Sequence, residues 1–434
     1  MMSRGRRARV VPLLSLVLVC IGCSAGVPPG GPTGQGVLQT TPRPTGSTGR
    51  ASTPSVSSTA GSPTVQVNPG GLSDELMVGQ LFMAYVYGSS ATDATASQRN
   101  ANLALYGAAT GAEVVRRWHL GGVILLDHNN LDPTRPDLST GNVINATQIR
   151  TLTSGLQRAA VSDSRIRLLI ATDQEGGRVQ RIINGVVSRP AQEQIAGQSQ
   201  TQLRCGYFSL GQELRQLGVN QDFAPVADVV RTATGVIGDR SFGPDPALDA
   251  RDVVAAVTGL QQAGVLATLK HWPGHGSTST DSHLALAVIR ESVATWKAVD
   301  RPPFQAGAAV AASVMVGHLA FPALDSSGTP ATLSARLVDG ALRRDLGYQG
   351  LVVTDSLWMA PVRKSGTPGH IARLAIAAGD DMLLMSPDVP AAYKEVLSLV
   401  RSDPKFRTSV QASVRRTLAA KARLKERPLI PGGC

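Results

Sequence analysis

The sequence predicts an α/β protein built on a (β/α)8 TIM-type barrel, with one folded domain behind an N-terminal leader and tether. Three observations carry this. Eight short apolar runs recur between residues 81 and 385, and most lie far enough apart for a helix and its loops. The runs are continuously apolar rather than alternating, as parallel strands buried on both faces require. Polar residues gather at the C-terminal ends of the runs, and those ends form the active face of a barrel. The 434 residues suffice for one large barrel. A doubly wound open sheet is the alternative, but the first run is not followed by the G-x-G-x-x-G turn that such sheets use for dinucleotides.

Residues 1–22 read as an export signal. MMSRGRRAR is basic, and the apolar run VVPLLSLVLVCI has 12 residues, too few to span a bilayer. The run leads into CIGCS, which resembles a bacterial lipobox with Cys23 as the acylated residue; Cys20 stands where such motifs usually have Leu. An ordinary secretory signal is the competing reading. Residues 23–71 are rich in Pro, Gly, Ser and Thr without apolar periodicity, a composition that builds no core. A flexible tether of that length reaches roughly 35–40 Å. The expectation is an exported protein, lipid-anchored to the outer face of the cytoplasmic membrane and held in the cell-wall space. Beyond Cys20 and Cys23 there remain Cys205 and Cys434. Export permits a disulfide between them, but sequence leaves open whether they meet. Net charge is +11, about +7 without the four leader arginines. The positive charges are scattered with no basic–aromatic stripe, so a nucleic-acid partner is not expected.

The folded domain is expected over residues 72–434. Its runs, in order, are LFMAYV (81–86), GGVILL (121–126), RLLIATD (167–173), VNQDFAPVADV (219–229), GVLATLK (264–270), SVMVGH (313–318), GLVVTD (350–355) and DDMLLM (380–385). Asp173, Asp228, Lys270 with His271, His318 and Asp355 mark the ends of the third to the seventh. On a barrel these residues converge.

The segment KHWPGHGSTSTDSH (270–283) holds three of the seven histidines. Three chemistries compete for it. His271 and His275 have the i, i+4 spacing of a zinc helix, but Pro273 and Gly274 prevent a shared helix face, and no metal is expected. GHGSTST is glycine-rich but lacks the lysine of a nucleotide loop. Asp281 and His283, two apart, point the same way in an extended chain. The carboxylate can then fix the imidazole tautomer and raise the basicity of its other nitrogen. A plain turn brace is equally compatible with that pair.

These residues resemble a known family. KHWPGHGSTSTDSH is similar to the signature of bacterial β-N-acetylhexosaminidases of glycoside hydrolase family 3. DQEGGRVQR (173–181), FAPVADV (223–229), IGDRSFG (237–243) and GLVVTDSLWM (350–359) resemble further family segments, in the family's order. The resemblance implies a (β/α)8 barrel, no cofactor, and a retaining exo-β-N-acetylglucosaminidase. It implies Asp355 as catalytic nucleophile, with Ser356 where relatives often carry a second Asp. It implies His283 as acid/base with Asp281 as its orienting partner. Asp173, Arg240, Lys270 and His271 would hold the sugar hydroxyls, and Arg178 and His275 would brace the site. Trp358 replaces a small residue common in the family. The implied substrate is terminal N-acetylglucosamine on a cell-wall glycan or muropeptide. The short C-terminal end favours a single-domain form, expected as a monomer. A phosphorylase on the same scaffold, a non-catalytic glycan-binding lipoprotein and a zinc-dependent hydrolase remain alternatives. Glycines between the histidines are read as slack for a moving loop.

Overall fold

The computed structural model describes residues 71–128, 141–232, 235–282, 285–424 and 434. The leader, Cys23, nearly all of the tether and His283 lie outside the described residues.

Eight parallel strands form the barrel. They are β1 (Phe82–Tyr85), β2 (Gly122–Ile124), β3 (Leu169–Thr172), β4 (Gln221–Asp222), β5 (Leu266–Trp272), β6 (Ser313–Val316), β7 (Leu351–Thr354) and β8 (Leu383–Leu384). The hydrogen-bonded order is β7-β6-β5-β4-β3-β2-β1-β8. A parallel bridge from Val353 to Met382 closes the ring between β7 and β8. Each expected run contains one strand. The fourth is shorter than its run because Pro225, three residues past β4's Asp222, has no N–H for a ladder. The fifth is longer and carries Lys270 and His271 inside the strand rather than beyond it.

The continuous apolar pattern has a direct cause. Met83, Tyr85, Ile124, Leu169, Ala171, Phe223, Leu266, Met315, Leu351 and Val353 belong to one buried cluster inside the barrel. Their alternates, among them Phe82, Ala84, Val123, Ile170, Ala267, Leu269, Val314 and Val352, belong to a second cluster beneath the helices. A strand buried on both faces has no polar side to show. Gly122 is needed where the ring is tight: a Cβ there would lie 2.9 Å from the Leu169 carbonyl oxygen of the neighbouring strand.

Helices cover the outside, and many of them start at side-chain caps. Examples are Asn145 before Ala146–Ser164, Ser199 before Gln200–Gln216 and Asp245 before Pro246–Gln262. The last helix, Pro404–Arg423, brings Ala420 into the inner cluster. Beside it, Lys421 donates a hydrogen bond to Gln80 Oε1 at 2.6 Å, and burial pulls its ammonium pKa down to about 7. The question left open for the cysteines is answered: Cys205 and Cys434 form a disulfide with Cα atoms 5.4 Å apart. Among the described residues no helix is long and apolar enough to cross a membrane.

Candidate active site

The C-terminal ends of the strands surround a cavity of about 780 Å³. Asp173 after β3, Lys270 and His271 on β5, and Asp355 after β7 all line it, with Glu175, Arg178, Arg240, His275, Ser282 and Trp358. Two of the expected strand-end residues do not reach it. Asp228 and His318 are fully buried behind it.

An ion cluster forms one wall. Lys270 Nζ lies 2.7 Å from Asp173 Oδ1 and 2.6 Å from Glu175 Oε1. Arg240 grips the same Glu175 with two bonds, Nε to Oε2 at 2.7 Å and Nη2 to Oε1 at 2.8 Å. The Glu175 side chain is 1% exposed. Burial works against its ionisation, but Arg240 and Lys270 outweigh it and hold Glu175 well below the usual carboxylate range. Burial likewise opposes the Lys270 charge, and Asp173 and Glu175 overcome it. The four groups carry two charges of each sign, so the wall is rigid and nearly neutral. Sequence reasoning quoted Glu175 inside DQEGGRVQR and gave it no role. Its signal was a carboxylate two residues past Asp173, on the short hairpin strand Gln174–Gly176 that follows β3.

The second wall hangs from Asp228. Its Oδ1 accepts the backbone N–H of His271 at 3.0 Å and of His275 at 2.8 Å. Its Oδ2 accepts from His271 Nδ1 at 2.7 Å. Burial favours the neutral acid, but His271 and His275 hold Asp228 below its ordinary value. An ionised Asp228 places the His271 proton on Nδ1, which leaves Nε2 as an acceptor. His275 Nε2 pairs with Ser282 Oγ at 2.8 Å, and burial pulls its pKa down to about 4, so His275 is neutral at pH 7. The glycines here do not supply slack. A Cβ at Gly276 would lie 1.9 Å from the Val229 carbonyl oxygen, and one at Gly274, with φ +128°, would lie 2.7 Å from Asp300 Cβ. Residues His271 to Gly276 are all buried.

Opposite, Asp355 Oδ1 accepts from the Ser356 N–H at 2.7 Å. His318 Nε2 donates to the Ser356 carbonyl at 2.8 Å, while its Nδ1 meets Thr332 Oγ1 at 2.8 Å. His318 thus supports the loop behind Asp355. Arg178 Nη2 donates to the Val236 and Ile237 carbonyls at 2.6 and 3.0 Å, which pins the segment before Arg240. The Arg363 guanidinium lies over the Trp358 ring, 5.9 Å from its centroid. Asp281 does not line the cavity, and His283 lies outside the described residues. Among the described residues no group of three or more His, Cys, Asp and Glu is arranged to hold a metal ion.

Residues 77–420 match the family model for the glycosyl hydrolase family 3 N-terminal domain. A β-hexosaminidase of Pseudomonas aeruginosa is 32% identical over 67% of this chain and 82% of its own length. β-Hexosaminidase A of Pseudoalteromonas piscicida is 35% identical over 63% of this chain, and the match spans 47% of that protein. A family 3 β-N-acetylglucosaminidase structure from Paenibacillus superposes with a TM-score of 0.72 at 33% identity. That superposition covers 84% of this chain and 65% of the Paenibacillus chain. The chain therefore spans about half of the second relative and about two thirds of the solved structure.

Proposed function

We propose a function from one premise: the chain belongs to glycosyl hydrolase family 3, among its β-N-acetylhexosaminidases. It acts as a retaining exo-β-N-acetylglucosaminidase on cell-wall glycan fragments. The observation that carries this reading is one cavity that holds Asp355 opposite the Asp173–Lys270–Glu175–Arg240 wall and His271. A carboxylate faces groups suited to sugar hydroxyls.

The wall positions the ring. Lys270 and Arg240 donate, Asp173 accepts, and His271 Nε2 accepts one further hydroxyl proton. Asp355 attacks the anomeric carbon as the bond to the leaving oxygen breaks, and a covalent glycosyl-enzyme forms. His283, oriented by Asp281, gives its proton to that oxygen. It then takes a proton from water as water attacks the same carbon and releases Asp355. Retaining enzymes ordinarily use a carboxylate for the proton step, and here a histidine takes the place. The substrate is N-acetylglucosamine joined β-1,4 to N-acetylmuramic acid, with or without a stem peptide. Residues 1–22 export the chain, and a lipid on Cys23 holds it at the outer face of the cytoplasmic membrane.

A chromogenic N-acetyl-β-glucosaminide tests the activity. Release of the chromophore with free N-acetylglucosamine as product, unchanged by phosphate, is the expected result. N-Acetylglucosamine 1-phosphate as main product would make the protein a phosphorylase. No turnover of this substrate or of a disaccharide muropeptide would leave a glycan-binding protein instead. Cys23→Ser should move the protein from the membrane fraction to the soluble exported fraction.

A further inference from the structure

Behind the His271–Gly276 turn, away from the sugar wall, lies a second charged group. Arg231 follows the β4 end, Glu291 follows the short strand Ala287–Val288, and Asp300 precedes the helix Arg301–Ala308. Arg231 Nη2 contacts Glu291 Oε1 and lies 3.0 Å from Asp300 Oδ2. The Glu291 and Asp300 side chains are 15% and 1% exposed. The turn is built onto this group. The Arg231 backbone N–H donates to the Gly276 carbonyl at 2.8 Å. Gly274 packs against Asp300 so closely that a Cβ there would lie 2.9 Å from Oδ1. Trp296, four residues before Asp300, donates Nε1–H to the Pro273 carbonyl at 2.9 Å.

We infer that Arg231, Glu291 and Asp300 act as one positioning cluster that fixes the Pro273–Gly276 turn, and with it His275, in the catalytic pocket. The inference rests on the reading of that pocket as catalytic. Two carboxylates share one guanidinium, and one of them, Asp300, is buried. If both were ionised the cluster would carry a net negative charge against Gly274, with Asp228 adding to it. Burial first, and then Glu291 and Asp228, push the Asp300 carboxyl up, Arg231 opposes them, and the result is about 8. At neutral pH Asp300 keeps its proton and the cluster is neutral. The other charged or titratable neighbours do not reverse this. Arg301 lies over the Trp296 ring, and His275 is uncharged. Loss of the Asp300 proton puts repulsion under the turn that holds His275 and, through Asp228, His271. Substrate binding should suffer before the chemical step does.

The test compares wild type with Asp300→Asn, which keeps the shape of the protonated acid, and with Arg231→Gln. A 2,4-dinitrophenyl N-acetyl-β-glucosaminide is the substrate, because its departure needs no proton and the acid/base group drops out of glycosylation. Wild-type kcat/KM should fall as pH rises through about 8, mainly through KM. The ratio of kcat/KM at pH 9.5 to that at pH 6.5 should rise about ten-fold in Asp300→Asn relative to wild type. Arg231→Gln should raise KM already at pH 6.5. A wild-type alkaline fall that persists in Asp300→Asn would overturn the proposal.

Thermal midpoints give a readout that needs no turnover. The folded Asp300 pKa is raised from 3.8 to about 8, so its contribution is complete below pH 3.8 and is lost as pH rises toward 8. Over that window the wild-type midpoint should fall relative to Asp300→Asn. Parallel curves would overturn the cluster. Complete inactivity of wild type toward the glucosaminide would instead overturn the catalytic reading, and the midpoints would still decide the cluster.

Discussion

Residues 270–283 form one continuous segment made of two unlike halves. From Lys270 to Gly276 every residue is buried, and besides the turn's own bond from Gly274 N–H to the His271 carbonyl the segment is tied at long range to Asp173, Glu175, Asp228 and, through the turn, Arg231. From Ser277 to Asp281 the chain is partly or fully exposed. Its backbone bonds there include local ones, Thr280 N–H to Thr278 Oγ1 and Ala285 N–H to the Asp281 carbonyl. Ser282 is the exception, buried and joined to His275. In the proposed function the first half binds the sugar, and the second carries by sequence the pair assigned to proton transfer. Sugar recognition needs several groups fixed against one ring, whereas a group that both gives and takes a proton needs reach.

The proposed nucleophile, Asp355, stands outside both halves and sets the scale. Asp355→Ala should lower kcat on any N-acetyl-β-glucosaminide by about 10³-fold or more, with little change in the thermal midpoint. Near-normal turnover in that variant would remove the covalent mechanism. A change in the second half should come next. His283→Ala should cost about 10²–10⁴-fold on a poor leaving group such as a disaccharide muropeptide. Most of the glycosylation rate should return with a dinitrophenyl leaving group. Equal losses on both substrates would take the proton step away from His283 and erase the distinction between the halves.

Among the partners of the first half the largest effect belongs to Glu175, which sequence reading passed over. Glu175→Gln removes the charge that Arg240 and Lys270 share, and leaves Lys270 with Asp173 as its one ion-pair partner among the described residues and Arg240 without its two-bond partner. Breaking a buried ion pair costs about 3–5 kcal/mol, so the thermal midpoint should drop clearly. KM should rise about ten-fold or more while kcat changes less, because binding is lost before chemistry. An unchanged KM would show that the wall does not hold the sugar.

Why the site was only partly legible follows from the same contrast. The barrel could be read because strands buried on both faces leave unbroken apolar runs, and a run is a local property. Asp173, Lys270, His271 and Asp355 could be placed because each stands at or near the end of such a run. The Glu175–Arg240 pair joins residues 65 apart, and the Asp228–His271 pair joins residues 43 apart. Which charges meet over such separations is decided by the order of strands around the ring, and no local pattern reports it. His318 was misplaced for a related reason: its position at a strand end was correct, but Thr332 and Ser356 draw its ring into the interior. The glycines misled in the opposite sense. Composition alone does not separate a glycine that frees a chain from one that admits a neighbour.

Gly276 and Ser279, three residues apart, turn that last point into the smallest and sharpest test. If the whole segment were slack, Gly276→Ala and Ser279→Ala would act alike, each trimming backbone freedom in a loop. The packing says otherwise. A methyl group at 276 would meet the Val229 carbonyl oxygen at 1.9 Å, far inside van der Waals contact, and the backbone must shift to admit it. That shift pulls on the bond from Arg231 N–H to the Gly276 carbonyl, and so on the register of His275. Gly276→Ala should therefore destabilise by about 1–3 kcal/mol and raise KM several-fold. Ser279 is exposed, and Ser279→Ala should stay within about 0.5 kcal/mol of wild type. Matched midpoints and matched KM values for the two variants would make the segment one flexible loop after all. A large gap between them would locate the boundary between the fixed half and the reaching half within those three residues.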